Sequence, residues 1–235
     1  MFTIAVSEFR MLLRNRLVAV CAILIPLGFG LYFLLNTGTQ GASTVATLQV
    51  LVMIAMGVYV TATTTLAARR QTLFLKRLRS GAVSDLSIIG GLVLPIVLVS
   101  VAQVAIVLTV LGFTADEPPA NVALVVLAVL LAEVMFTGFA LATAGVTNSP
   151  EHAQVTTLPL FFIALGVALW VLFTGTEDLG AVKRALPGGG IAELLVGGWD
   201  GTGSTNLALL VLPSVGWAVV AVYAARRMFR WEPRA

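Results

Sequence analysis

Six stretches of this chain run for about 20 residues with almost no charge, and a helix needs roughly that length to cross the hydrocarbon of a bilayer. They extend from Leu17 to Leu35, Ala46 to Ala68, Leu86 to Phe113, Val122 to Val146, Gln154 to Phe173 and Leu207 to Ala225. Lipid offers no hydrogen bonds, so a spanning segment must satisfy its own backbone groups, and open segments of this kind do so as helices. The expected fold class is therefore an all-α integral membrane protein, with residues 1–235 forming a single transmembrane domain of six transmembrane helices. Composition agrees: 59% of residues are apolar and only 11% charged, against about 25% charged in soluble globular chains. Pro26, Pro95, Pro159 and Pro213 fall within these runs, where proline predicts kinks rather than breaks. The first run is too long for a signal-peptide core and no small-residue cleavage site follows it, so it is expected to stay in the mature protein. Cys21, the only cysteine, lies in that run. It permits no internal disulfide or thiolate cluster and reads as packing.

Ahead of the first run, residues 2–16 read as an amphipathic helix lying along the inner membrane surface. Phe2, Val6, Phe9 and Leu13 recur at helical spacing while Ser7, Arg10 and Arg14 take another face. Basic residues then fix orientation, because they gather on the cytoplasmic side. With both termini cytoplasmic, three lie in the first helix, five between the second and third runs and four at the carboxyl end, which is 12 of the 14 present. Lys183 and Arg184 fall outside, as do Asp116, Glu117, Glu177, Asp178, Glu193 and Asp200. The location this predicts is the cytoplasmic membrane, crossed several times. Asn148 to His152 reads as a tight internal turn. On the external side the long segment 174–206 contains LPGGGIAELLVGG, too short to span and too apolar for a free linker, so a re-entrant or interfacial segment is expected between the fifth and sixth spans.

Chemistry-bearing residues are few. Glu133 falls near the middle of the fourth run, where a carboxylate costs about 2.5 to 3.5 kcal/mol on insertion scales, so it must face the protein interior. Counted from the external ends of their helices, Gln103 and Glu133 reach similar depth, and a hydrogen bond between them is expected. It serves as helix-to-helix glue, as a polar contact in a substrate path or as a hinge between two packings. Thr61, Thr63, Thr64 and Thr65 are expected to bond their own helix backbone. His152 is the sole histidine and has no partners for a metal site or a nucleophile relay. No phosphate-cradling GxxxxGK[ST] occurs, nor a GxSxG elbow or HExxH, so ATP power would have to come from another subunit. The net charge of +3 is carried at span ends rather than on a soluble basic module, which argues against nucleic acid.

The only long basic segment between two apolar ones is AARRQTLFLKRLRSGAVSDL, residues 67–86. Arg69, Arg70, Lys76, Arg77 and Arg79 mark it as cytoplasmic, resting on anionic lipid. Leu73, Phe74, Leu75 and Leu78 would be wasted in a plain solvated loop and are expected to dock on a cytoplasmic partner. With Lys76 to Gly91, KRLRSGAVSDLSIIGG, the chain resembles the membrane-spanning permease subunits of type-2 ATP-binding-cassette (ABC) exporters. The likeness covers the order of parts along nearly the whole chain. Where that family usually carries acids and a proline, this sequence has Arg69, Arg70, Gln71 and Ala82. The resemblance implies an ABC transporter of two permease subunits, alike or different, with two ATPase subunits that hold ATP and magnesium, this chain binding no cofactor and hydrolysing nothing itself. It implies an ATPase-coupling loop at residues 69–85, formed by Arg70, Leu73, Phe74, Leu75, Lys76, Arg77, Leu78 and Arg79. Cargo would pass between spans 2 and 5 of the two halves, where Thr61, Thr64, Phe161, Phe162, Leu165 and Trp170 suit an apolar or amphipathic cargo: a drug, lipid or peptide. Two other readings stay open: an ion- or proton-coupled secondary carrier using Glu133, and a membrane anchor without transport of its own.

Overall fold

The computed structural model describes residues 5–7, 9–10, 20, 24–35, 41–80, 84–201 and 206–231. Among these the chain is helical and carries no strand. We label the helices α1 (Ile25–Leu35), α2 (Ala42–Gln71), α3 (Phe74–Arg79), α4 (Asp85–Thr114), α5 (Val122–Val146), α6 (Pro150–Thr174), α7 (Gly180–Ala185), α8 (Gly189–Asp200) and α9 (Leu207–Met228). Five of them, α2, α4, α5, α6 and α9, are long and apolar enough to cross a membrane, which is the character of a multi-pass membrane protein. Of the first expected span, residues 20 and 24 and α1 are described. Most of the amphipathic segment 2–16 lies outside the described residues, as do residues 81–83 of the basic loop.

Short polar residues start the long helices. Ser84, Asn121 and Ser149 each accept a hydrogen bond from the backbone N–H three residues on, at 3.3, 3.1 and 3.3 Å, which satisfies one of the donors a helix start leaves open. Pro150 follows Ser149 at the first helical position, where a missing N–H costs nothing. Helix α6 therefore begins at Pro150, and the expected internal turn shrinks to the residues just before it. Both α4 and α6 continue through their prolines, as does α9.

Helix α2 is the most enclosed of the five. Its middle widens into a π turn over Ala55–Val60. Thr61 Oγ1 reaches back five residues to the Met56 carbonyl at 3.1 Å, and Thr63 and Thr64 bond the Tyr59 and Val60 carbonyls at 2.7 and 2.8 Å. Three of the four threonines, Thr61, Thr63 and Thr64, thus bond their own helix as expected and help to satisfy the carbonyls around the changed register. The core around α2 is built from Val50, Leu51, Ile54 and Val58 against Ile96 of α4, Ala132 and Phe136 of α5, and Leu194 and Leu195 of α8.

The most extensive helix pair is α5 with α9. A Cβ added at Gly138 would lie 2.8 Å from the Ala221 Cβ, and one at Gly145 would collide with the Met228 carbonyl. In lipid no hydrophobic force holds helix to helix, so packing distance decides. We expect Gly138→Val to force these helices apart and cost about 2 kcal/mol or more, seen as a lower melting temperature in detergent. Gly166→Ala, at a glycine with nothing within 4 Å, is the neutral control.

Candidate functional site

The basic segment is more ordered than a loop. Helix α2 runs to Gln71, the chain reverses at Leu73 with the left-handed φ of 57°, and α3 follows at once. Leucine is unfavourable there, since its Cβ crowds the following carbonyl at a cost of about 1 to 2 kcal/mol. The reversal directs the apolar side chains to different places. Leu75 is fully buried with Leu66, Ile88, Leu92, Val93 and Ala144, and Phe74 and Leu78 lie half-buried against the same cluster. Only Leu73 is turned outward, 43% exposed.

This corrects the expectation that all four apolar residues face a partner: Leu75 is an anchor within the chain, and Phe74 and Leu78 are largely so. Arg70 is corrected likewise. It is buried and donates from Nη2 to the Thr147 carbonyl, just past the end of α5. There a cation complements the open carbonyls and the negative end of the helix dipole. Arg69 lies over the Phe74 ring at 5.1 Å. Arg79 pairs with Asp85 at 3.3 Å and sits 5.1 Å over the ring of Trp231. Trp231 packs edge-on against Phe229 at 5.2 Å, and both rest on the Leu75 cluster. The carboxyl end is thus folded against the loop, a contact 150 residues apart in sequence that span counting does not reveal. Leu73, Lys76 and Arg77 are left exposed.

Glu133 is buried on α5 and accepts a hydrogen bond from Ser100 Oγ at 2.8 Å. The expected partner Gln103 sits one helical turn further along α4, buried on the same face. Its Nε2 and the second carboxylate oxygen of Glu133 have no hydrogen-bond partner in the described structure. Depth counting was correct to within one turn, and Ser100 was missed because a serine in an apolar run gives no sign of which way it points.

The residues expected along a cargo path do not share one surface. Thr61 is buried, Thr64 is half-buried on its own helix, and Phe161 and Leu165 pack with Leu51, Val52, Ala55, Phe136 and Ala164, leaving no room for a water-sized molecule. Phe162 points outward, 60% exposed, at 5.2 Å from Phe161. Trp170 lies at the carboxyl end of α6, where its ring is 5.2 Å from Lys183 Nζ.

At that end Gly188, at φ 93°, lets the chain pass against the Ala164 backbone of α6 and enter α8. A Cβ there would be strained and crowded at once. Helix α8 is buried almost throughout. Its last carbonyls, on Gly198 and Trp199, accept from Asn121 and Ala120 N–H at 2.8 and 2.9 Å, so its end is satisfied by protein. Lys183 is buried and caps α6, donating to Thr174 Oγ1 at 2.7 Å and the Gly175 carbonyl at 2.6 Å. Arg184 forms two 2.6 Å bonds to Glu193, which hold its guanidinium above its ordinary pKa. The two basic residues counted on the external side are therefore tied up within the segment. Between α2, α6 and α8 lies a cavity of about 590 Å³ bordered by Glu177, Glu193 and Asp200. No protein-family model matches this chain, and no curated protein is significantly similar to it.

The Glu133 geometry makes a graded test. An amide at that position keeps an acceptor for Ser100, so Glu133→Gln is expected to stay within about 1 kcal/mol of wild type. Glu133→Ala orphans the buried hydroxyl and should cost about 1 to 3 kcal/mol more. Thermal unfolding of both in the same detergent reads the difference, and equal melting temperatures would contradict a structural role for the Ser100 bond.

Proposed function

We propose that this chain is the permease subunit of an ATP-driven ABC exporter, moving an apolar or amphipathic cargo out across the cytoplasmic membrane. In this reading the five long helices and the segment ending in α1 make six spans, both termini are cytoplasmic, residues 2–16 lie along the inner surface, and α7 and α8 form a re-entrant external segment. A separate ATPase, in two copies, docks on the loop, and a second permease subunit completes the pathway. The observation that carries the reading is the reversal at Leu73. It is an exposed leucine in an unfavourable conformation, flanked by exposed Lys76 and Arg77, on a short helix anchored in the bundle by Leu75. Strained backbone kept at an exposed tip is a mark of functional sites, and an apolar tip ringed by cations fits an acidic, cleft-bearing partner. The cargo face assigned to a single chain moves to α6, where Val155, Leu158, Phe162 and Ile163 are exposed, because α2 is enclosed on nearly all sides.

A second reading, a proton- or ion-coupled carrier, is favoured by one observation, the unpaired oxygen of Glu133 beside an unpaired Gln103 amide. Transport by the purified chain alone, driven by a pH gradient and lost in Glu133→Gln, would select it over the exporter.

Two experiments test the leading reading. Cysteines at Ser43, Glu117 and Asp178 are expected to react with an impermeant thiol reagent from outside intact cells, and one at Ser80 is not; external labelling at Ser80 would refute the topology. For the docking tip, Leu73→Gly relieves the backbone while removing the side chain. We expect its stability to stay within about 1 kcal/mol of wild type while ATPase retention on co-purification falls about thirtyfold, the loss of a typical interface anchor. Arg77→Gln is expected to be milder and more salt-sensitive, whereas Leu75→Ala should lower stability by about 2 to 5 kcal/mol. Unchanged ATPase retention in Leu73→Gly would leave the loop as a topology signal alone.

A further inference from the structure

Arg226 and Arg227 on the last turn of α9 and Arg230 just beyond it have so far entered only the charge count. We infer that Arg226, Arg227 and Arg230 form a binding site for the phosphate of an anionic phospholipid, with Tyr223 and Trp231 as its aromatic walls. The 22 residues of α9 extend about 33 Å at about 1.5 Å per residue, close to the roughly 30 Å of hydrocarbon. Arg226 and Arg227 therefore reach headgroup depth, where tyrosine and tryptophan also settle.

The direction of the side chains separates lipid from a protein partner. Val219, Tyr223 and Arg227 follow one another at four-residue spacing along α9, and all three are turned away from the bundle, with Val219 at 62% and Tyr223 at 59% exposure. This is a lipid-facing stripe, and Arg227 ends it. The guanidinium is steered by the stripe itself, Nε donating to the Tyr223 hydroxyl at 3.2 Å with the carbon 5.5 Å over the ring. Arg226 and Arg230 are exposed beside it. Beyond Met228 the chain turns under the bundle and places Trp231 against Arg79, whose charge already faces Asp85 at 3.3 Å. Asp85, the acid in contact with this corner among the described residues, is thus committed to Arg79, while Glu232 follows Trp231 in the sequence and leaves the three arginines in excess. The outward tip of the loop, Leu73 with Lys76 and Arg77, is a separate surface. A phosphodiester that accepts from guanidinium groups with its acyl chains along Val219 and Tyr223 fits the chemistry of the stripe, and each basic residue at a membrane surface contributes about a fivefold gain in anionic-lipid affinity.

The test uses the full chain in vesicles of phosphatidylcholine with a minority of phosphatidylglycerol. After extraction, native mass spectrometry is expected to find phosphatidylglycerol enriched over its share of the bilayer. Arg226→Gln, Arg227→Gln and Arg230→Gln should each lower that retention about fivefold. A measurement without charge substitutions guards against misfolding: brominated phosphatidylglycerol should quench the Trp231 fluorescence, taken as wild type minus Trp231→Phe, more than brominated phosphatidylcholine does. Equal quenching by the two lipids, or retention unaffected by the arginine substitutions, overturns the site. Displacement of the lipid by free glycerol phosphate overturns it as well, because the corner would then be a plain anion site. Neither measurement involves an ATPase or depends on which side of the membrane the arginines face, so its outcome is separate from that of the exporter reading.

Discussion

The close approach of α5 and α9 is the contact on which the rest of this bundle depends. Between helices in lipid there is no gain from removing apolar surface from water, so association comes from packing and from hydrogen bonds. Gly138 against Ala221 and Gly145 against Met228 bring the two backbones into contact over a long stretch. The pair then holds both ends of the molecule. At one end the chain leaving α9 brings Phe229 and Trp231 onto the cluster that contains Leu75. At the other, Trp217 of α9 donates from Nε1 to the Ala185 carbonyl at 3.1 Å, and the turn before α5 supplies Ala120 and Asn121 to the end of α8. The basic loop thus packs on α4, α5 and α9, and α5 and α9 in turn contact the segment of α7 and α8.

How much of this was legible in the sequence varied with the kind of information required. Helix α5 matches its expected run to the residue, and α4 extends it by one residue at each end, because apolar length is what the bilayer selects and composition displays it directly. Helices α2, α6 and α9 are longer than expected: Ser43, Thr44, Arg69, Arg70 and Gln71 extend α2, Pro150, Glu151, His152 and Thr174 extend α6, and Arg226 and Arg227 extend α9, residues that hydropathy scores as loop. The helix at Phe74–Arg79 was hidden by its charge, although Leu75 and Leu78 at a spacing of three carried its signal. Rotation about a helix axis was the information least available. Depth placed Gln103 beside Glu133, yet the hydrogen bond falls to Ser100, and the outward-facing Phe162 and inward-facing Phe161 are sequence neighbours that no span count separates.

Long-range charge was the other hidden element. The expectation of twelve of 14 basic residues on one side concerns topology, and it says nothing about what each residue touches. Arg70, a member of the expected docking set, closes the end of α5. Lys183, one of the two exceptions to the charge asymmetry, closes the end of α6. Arg70 donates to the Thr147 carbonyl, and Lys183 to the Gly175 carbonyl and the Thr174 hydroxyl, so each of these buried cations is used at a helix end. Helix C-termini provide this kind of site without an opposing charge, since several open carbonyls and the helix dipole act together.

Glu133 follows a different logic. The buried cations use the ends of helices, where backbone acceptors are left open, but an acid at the middle of a helix meets only backbone N–H donors that are already bonded and must find a side-chain donor on a neighbour. Ser100 supplies one such donor, and the second oxygen is left without a partner. Ser100 and Gln103 share a face of α4 one turn apart, so sliding α4 along α5 by about 5 Å, a single helical turn, would exchange one donor for the other rather than break a bond outright. At Arg70 or Lys183 the same displacement would strand a buried charge, at a cost of several kcal/mol. The polar groups of this bundle thus resist motion at the helix ends and tolerate it at mid-depth along the contact of α4 with α5.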